Sequence, residues 1–389
     1  MRPSRPSPWR WLARLALGAV LLTWALSLVE LEDLGGLLVR CRPLPLAEAF
    51  VLFLGAALAS SLAWQVLLIP LGFRLHLGQA VRLSMIGFFL NNLIPSGLGG
   101  DVYRVFALSG FGVPRVEAAA SVLVERWSAF LALLVATGLS YAAAFPLLRG
   151  AEAPDFLQSL WPPLAHLRLD WLMGLFLLAL ALAFAGSTCL ALSAGRSGAP
   201  LLERFSLGVP TAGFLAVLQQ YRRHPATFLA ASAINLASPL LEGLAFSSIA
   251  DALGLELSPL LFLAFTPIFR VLNHLPVSVN AVGTQELASI VFWNPLGATP
   301  DQAVAISLLI HALKISVSAL GAPLYLVGNR YQVERFEVPG PGKKGCPAGG
   351  ESFPSGHPCG GDRAEGGGTR LARTRSAQPE DPIEGMNRP

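Results

Sequence analysis

Along this chain the apolar positions come in long runs, and the charged positions collect between them. The runs Leu15–Val29, Ala47–Ile69, Ala118–Phe145, Trp171–Leu192, Phe228–Ile249 and Ala303–Val327 predict six helices that cross a bilayer. The apolar stretch Leu83–Ile94 is only about a dozen residues long, and at about 1.5 Å per residue it cannot cross a hydrocarbon core of about 30 Å. It ends in Ile94-Pro95-Ser96-Gly97-Leu98-Gly99-Gly100-Asp101-Val102-Tyr103-Arg104. Pro95 removes a backbone donor and the glycines loosen the chain, so a helix breaks here. Asp101 is suited to capping the helix that restarts. A second break lies between Leu260–Leu275 and Leu287–Leu296. Each break is expected to form a re-entrant helix pair.

Composition supports this reading. Of 389 residues 53% are hydrophobic and 13% charged, outside the range of an ordinary soluble domain. The net charge of +4 matters mainly through its distribution. Arg2, Arg5, Arg10 and Arg14 precede the first run, and no small-residue cleavage site follows it, so it reads as an uncleaved span. With both broken segments re-entrant, the N-terminus, the Arg74–Arg82 loop, the loop bearing Arg196, Arg204, Arg222 and Arg223, and the tail all fall on the cytoplasmic side. The expected location is the plasma membrane, multi-pass, with both termini cytoplasmic. The basic N-terminus covers 1–14, the membrane domain 15–330, and the Gly/Pro-rich stretch 335–389 is expected to be disordered. The four cysteines suggest no disulfide framework. Cys346, His357 and Cys359 are too few for a metal site. No cofactor, metal or nucleic-acid partner is expected.

The halves, about 15–145 and 171–328, share a register. Asn92 lies three residues before Pro95, and Asn273 three before Pro276. Counting from Asp101 and Glu286, Gly112 falls on Gly297, Glu117 on Gln302 and Arg126 on His311. The fold expected is therefore an all-α integral membrane protein, an inverted repeat of three spans plus one re-entrant pair per half. Glu125 and Arg126 lie roughly 15 Å past Arg115, close to mid-bilayer, and His311 and Lys314 lie at similar depth from Asp301. Such charges face a bundle interior or a wet cavity. Two readings stay open for them: ion pairs that fix packing, such as Glu125 with Arg126 or Lys314, or contacts to an anionic ligand.

The pattern Asn92…Ile94-Pro95…Gly99-Gly100-Asp101…Arg104, then Glu125-Arg126, then Leu275-Pro276…Gly283…Glu286 resembles the lysylphosphatidylglycerol synthase transmembrane-region family, over most of residues 10–330. The resemblance implies a helical domain that, in multidomain members, moves an aminoacylated phospholipid between leaflets. Ala281 stands where the pattern usually has glycine, Gln285 where it often has arginine, and His311 where arginine is common. No soluble aminoacyl-transferase domain is expected after Val327.

The leading reading is a lipid flippase or related transporter for an anionic or zwitterionic amphiphile. Arg104, Arg126 and Arg270 would contact phosphate, while Asp101 and Glu286 would contact a cationic headgroup or shape the cavity. Asn92, Pro95, Gly99, Gly100, Glu125, Asn273, Gly283, His311 and Lys314 complete the expected lining. The alternative is an accessory subunit for envelope glycolipid or polysaccharide synthesis that binds polyprenyl phosphate. The partners expected are membrane lipids and, in either reading, a lipid-modifying enzyme or glycosyltransferase. An enzyme is not expected, because the sequence holds no nucleotide-sugar motif and no Ser/His/Asp set.

Overall fold

The computed structural model describes residues 8–93, 99–149, 168–197, 217, 219–274, 278–327 and 334–335. These residues fold into helices α1 (Pro8–Ser27), α2 (Leu31–Arg40), α3 (Pro43–Leu68), α4 (Leu77–Leu93), α5 (Gly99–Gly110) and α6 (Arg115–Leu148). They continue as α7 (Leu169–Ser197), α8 (Pro225–Ala252), α9 (Pro259–His274), α10 (Thr284–Trp293), α11 (Pro300–Ala319) and α12 (Gly321–Leu326). Strands β1 (Phe73–Arg74) and β2 (Glu334–Arg335) pair antiparallel. The tail beyond 335, with Cys346, His357 and Cys359, lies outside the described residues, as does Pro95.

Among the described residues, five stretches are long and apolar enough to cross a bilayer: Pro43–Leu71, Arg115–Leu148, Leu169–Cys189, Pro225–Ala252 and Pro300–Leu326. The chain is an all-α protein embedded in a membrane. The first expected span corresponds to α1, whose apolar part Ala16–Ser27 is shorter. The segments flanking the breaks are short: 17 residues in α4, 12 in α5, 16 in α9 and 10 in α10. At about 1.5 Å per residue none of them reaches about 30 Å.

The centre of the bundle is the pair α3 and α8, which run antiparallel. At one end the Arg42 amide donates to the Ala252 carbonyl, 2.9 Å away. Midway, Gly55 lies against Leu241. At the other end the Tyr221 hydroxyl donates to the Leu67 carbonyl, and Gln220 Nε2 to that of Pro70. Aromatic side chains dominate the core beside α9 and α10, where Phe262, Phe265 and Phe269 meet Phe292 and Trp293. Around the far end of α3 the core is largely aliphatic, built on Leu67, Leu68, Leu83 and Leu108 with Trp64.

Three features depart from the expectations. Helix α2 has no counterpart among the predicted elements. It packs against α11, and the Glu30 amide at its start donates to Asp301 Oδ1. Arg82, expected in a loop, is buried on α4 and donates to the Leu324 carbonyl at 2.7 Å. The last span bends at Gly321, where a Cβ would overlap the Met85 carbonyl, so α12 lies directly on α4.

Candidate functional site

Helix α5 restarts at Gly99, so Asp101 sits within its first turn and is not its cap. Instead Asn91 Oδ1 accepts from the Gly100 amide at 2.7 Å. Gly99 and Gly100 are buried, and a Cβ on Gly100 would overlap the Gly87 carbonyl, so α4 and α5 meet backbone to backbone. That approach leaves Asp101 and Arg104 aimed at α6. Asp101 takes both arms of Arg126: Nη2 to Oδ1 at 2.6 Å and Nε to Oδ2 at 3.1 Å. This is the planar, two-point pairing that guanidinium makes with carboxylate.

One residue earlier on α6, Glu125 points elsewhere. Its Oε2 lies 3.4 Å from Arg104 Nη1, and its Oε1 accepts from Ser60 on α3 at 3.2 Å. Arg104 also lies 3.8 Å from Asp101 Oδ1 and stacks on the Trp64 ring at 3.8 Å. Two of its nitrogens, Nε and Nη2, are buried without a hydrogen-bond partner. The expected pairs of Glu125 with Arg126 or Lys314 are therefore corrected. Neighbours in a helix point about 100° apart, so Glu125 and Arg126 serve different partners.

The second break builds its own network. After the last turn of α9 the chain passes through Asn280 and Ala281 at φ 51° and 58°, then Gly283 at φ 85°. Gly283 lies against Gly18 and Leu21 of α1, where a side chain would collide. Its amide donates to Glu286 Oε2 at 2.6 Å, so Glu286 sits inside the first turn of α10, as Asp101 does in α5. Glu286 Oε1 accepts from Ser307 at 3.1 Å and lies 3.2 Å from His311 Nε2. Asn273 Nδ2 donates to Gln285 Oε1, and Gln285 Nε2 donates to Ser307, each at 3.2 Å. Arg270 and Lys314 both pair with Glu242 of α8. Lys314 Nζ is 2.5 Å from Glu242 Oε1, and Arg270 Nη2 donates to Ser238 Oγ at 2.6 Å. Asn92 stands apart from both sets and donates to Ser318 of α11 at 2.6 Å.

The side chains named from the sequence thus gather in two places, and α3 and α8 pass both. Ser60 and Trp64 belong to the first network, while Phe53 lies under Lys314 at 5.8 Å. On α8, Asn235 donates to Ser128, just past Arg126, and Glu242 follows seven residues on. On either helix the step between networks is about 10 Å.

Sequence reasoning missed Glu242, Trp64, Ser60, Ser238 and Ser307. Glu242 had a signal: it is an acid deep inside an apolar run, as Glu125 is. The others are ordinary apolar or small polar residues within spans, which carry no such mark.

No curated protein and no solved structure matches the chain. The model of the lysylphosphatidylglycerol synthase transmembrane region matches residues 11–321, which include both breaks and both networks. The chain belongs to that family, and it is a membrane-embedded protein of lipid-related processes.

Proposed function

We propose that this chain moves a phospholipid, or another anionic or zwitterionic amphiphile, between leaflets without altering it chemically. Its route runs past both networks, which belong to two inverted repeats. One observation carries the reading. At each break an acid in the first turn of the restarting helix meets a basic residue 25 positions later, Asp101 with Arg126 and Glu286 with His311. Charges at this depth are costly unless they pair or line a polar path, and here they lie beside breaks that free backbone groups as well. The Arg126 side chain is 38% exposed although it is paired, which leaves it open to an incoming phosphate. The Gly87–Gly100 contact holds Asp101 in reach of Arg126. The arginine distribution supports an orientation with both termini cytoplasmic.

The test is reconstitution of the full chain in liposomes carrying fluorescent phosphatidylglycerol, with leaflet exposure read by an impermeant quencher. Wild-type protein should carry label across. Arg126→Lys should slow movement about tenfold or more although charge is kept, because lysine cannot make the two-point contact. Full movement by a correctly inserted Asp101→Asn, Glu286→Gln protein would sink the reading.

A further inference from the structure

The second network differs from the first in one chemically decisive respect. Arg126 stays charged at any physiological pH, whereas imidazole is the side chain whose ordinary charge change falls between about pH 5 and 8. We propose that Glu286 and His311 form a proton-binding site, and that one proton loaded there accompanies each anionic headgroup across the membrane. The coupling rests on the transport reading above; the proton site itself does not.

The geometry separates the roles of the two residues. The Glu286 side chain is 1% exposed and that of His311 15%, so the imidazole is the more exposed member. His311 Nε2 lies 3.2 Å from Glu286 Oε1, which also accepts from the Ser307 hydroxyl. A proton on the pair leaves it neutral overall. Without that proton the carboxylate remains charged, held by Ser307 and by the Gly283 amide. The donors Asn273, Gln285 and Ser307 follow one another toward Glu286, so the polar chain is oriented for the charged state.

The charged groups around His311 set the direction of coupling. Glu286 comes from α10, Glu242 from α8, Arg270 from α9 and Lys314 from the same helix, one turn on. Helix α3 brings Phe53 to this region, α2 meets α11 near Asp301, and α4 meets it through Asn92 and Ser318. The two carboxylates balance Arg270 and Lys314, so an imidazolium gives the cluster one net positive charge. An anionic headgroup is therefore favoured once the proton is bound, and release of either weakens the hold on the other. The proton enters from one aqueous phase and leaves to the other, which returns the pair to its starting state.

Two measurements on the full chain in liposomes test this. Infrared difference spectra across about pH 5–8 should show a carboxylate or imidazole band change that is lost in His311→Arg and Glu286→Gln and kept in His274→Gln. Absence of that change in the wild-type protein overturns the proposal, whatever lipid does. In the second measurement, labelled phosphatidylglycerol should leave the leaflet facing the acidic side several-fold faster under a pH gradient. Phosphatidylcholine should not respond to it. Any lipid movement that remains in His311→Arg, or in His311→Gln as a second variant, should show no gradient dependence. Lipid movement that ignores the gradient in wild-type protein overturns the coupling and leaves the transport reading standing. A titrating pair in a protein that moves no lipid upholds the proton site and removes the lipid as its cargo.

Discussion

The two networks use the same skeleton differently. Around Asp101 the charges close on themselves: two arginines and two acids interlock, with Trp64 covering Arg104. Around Glu286 the charges are spread, with one pair at His311, and a separate acid, Glu242, holds Arg270 and Lys314. The difference teaches that matched sequence register fixes where acid and base meet but not how firmly. Half of the second network's charge compensation comes from α8, outside the break and its following helix.

That contrast can be broken at its strongest point. Glu242→Gln removes the buried acid that pairs with the half-buried Arg270 and Lys314, and should cost up to about 3–5 kcal/mol, the range for removing one partner of a buried pair. Unfolding by SDS in mixed micelles would measure it, and a change under about 1 kcal/mol would show that Glu242 does not hold the second network together.

The next effect concerns the glycines. Gly283→Ala adds both a collision with α1 and a backbone conformation that disfavours a side chain, whereas Gly100→Ala adds only the collision with Gly87. The costs should be roughly 2–4 and 1–3 kcal/mol respectively. Equal losses in the same assay would mean the φ 85° of Gly283 carries no penalty.

Asp101→Asn should be milder than Glu242→Gln, about 1.5–3 kcal/mol, the range for hydrogen bonds to charged groups, because Arg126 is the more exposed cation and Glu125 still serves Arg104. A loss larger than that of Glu242→Gln would invert the comparison. The smallest effect has the opposite sign. Ala281 is buried at φ 58°, where a Cβ is strained, so Ala281→Gly should stabilise by about 0.5–1 kcal/mol. Destabilisation would show that the methyl's packing outweighs the strain.

Much of this is legible in the sequence alone. The spans follow from unbroken apolar runs, and the breaks from Pro95 and its glycines. The sequence sets Arg126 and His311 at the same interval from Asp101 and Glu286, but it suggests Glu125 as the partner of Arg126, where the structure has Asp101. The usual glycine at position 281 also gains a physical cause in the left-handed backbone there. Partner choice was not legible. Glu125 serves Arg104 and Lys314 serves Glu242 because of which helix faces meet, and spacing along one segment does not encode that. The cap of α5 was misplaced for a similar reason. Asn91 reaches Gly100 across the break, where no local rule would look.

The small antiparallel pairing of Phe73–Arg74 with Glu334–Arg335 constrains the whole path of the chain by parity. Strands joined beyond the ends of two spans share one face of the bilayer, so the chain between residues 74 and 334 makes an even number of passages. The stretches Arg115–Leu148, Leu169–Cys189, Pro225–Ala252 and Pro300–Leu326 account for four of them. Counted over the described segments, the α4–α5 and α9–α10 pairs then add an even number jointly: either both return to the side they left or both go through.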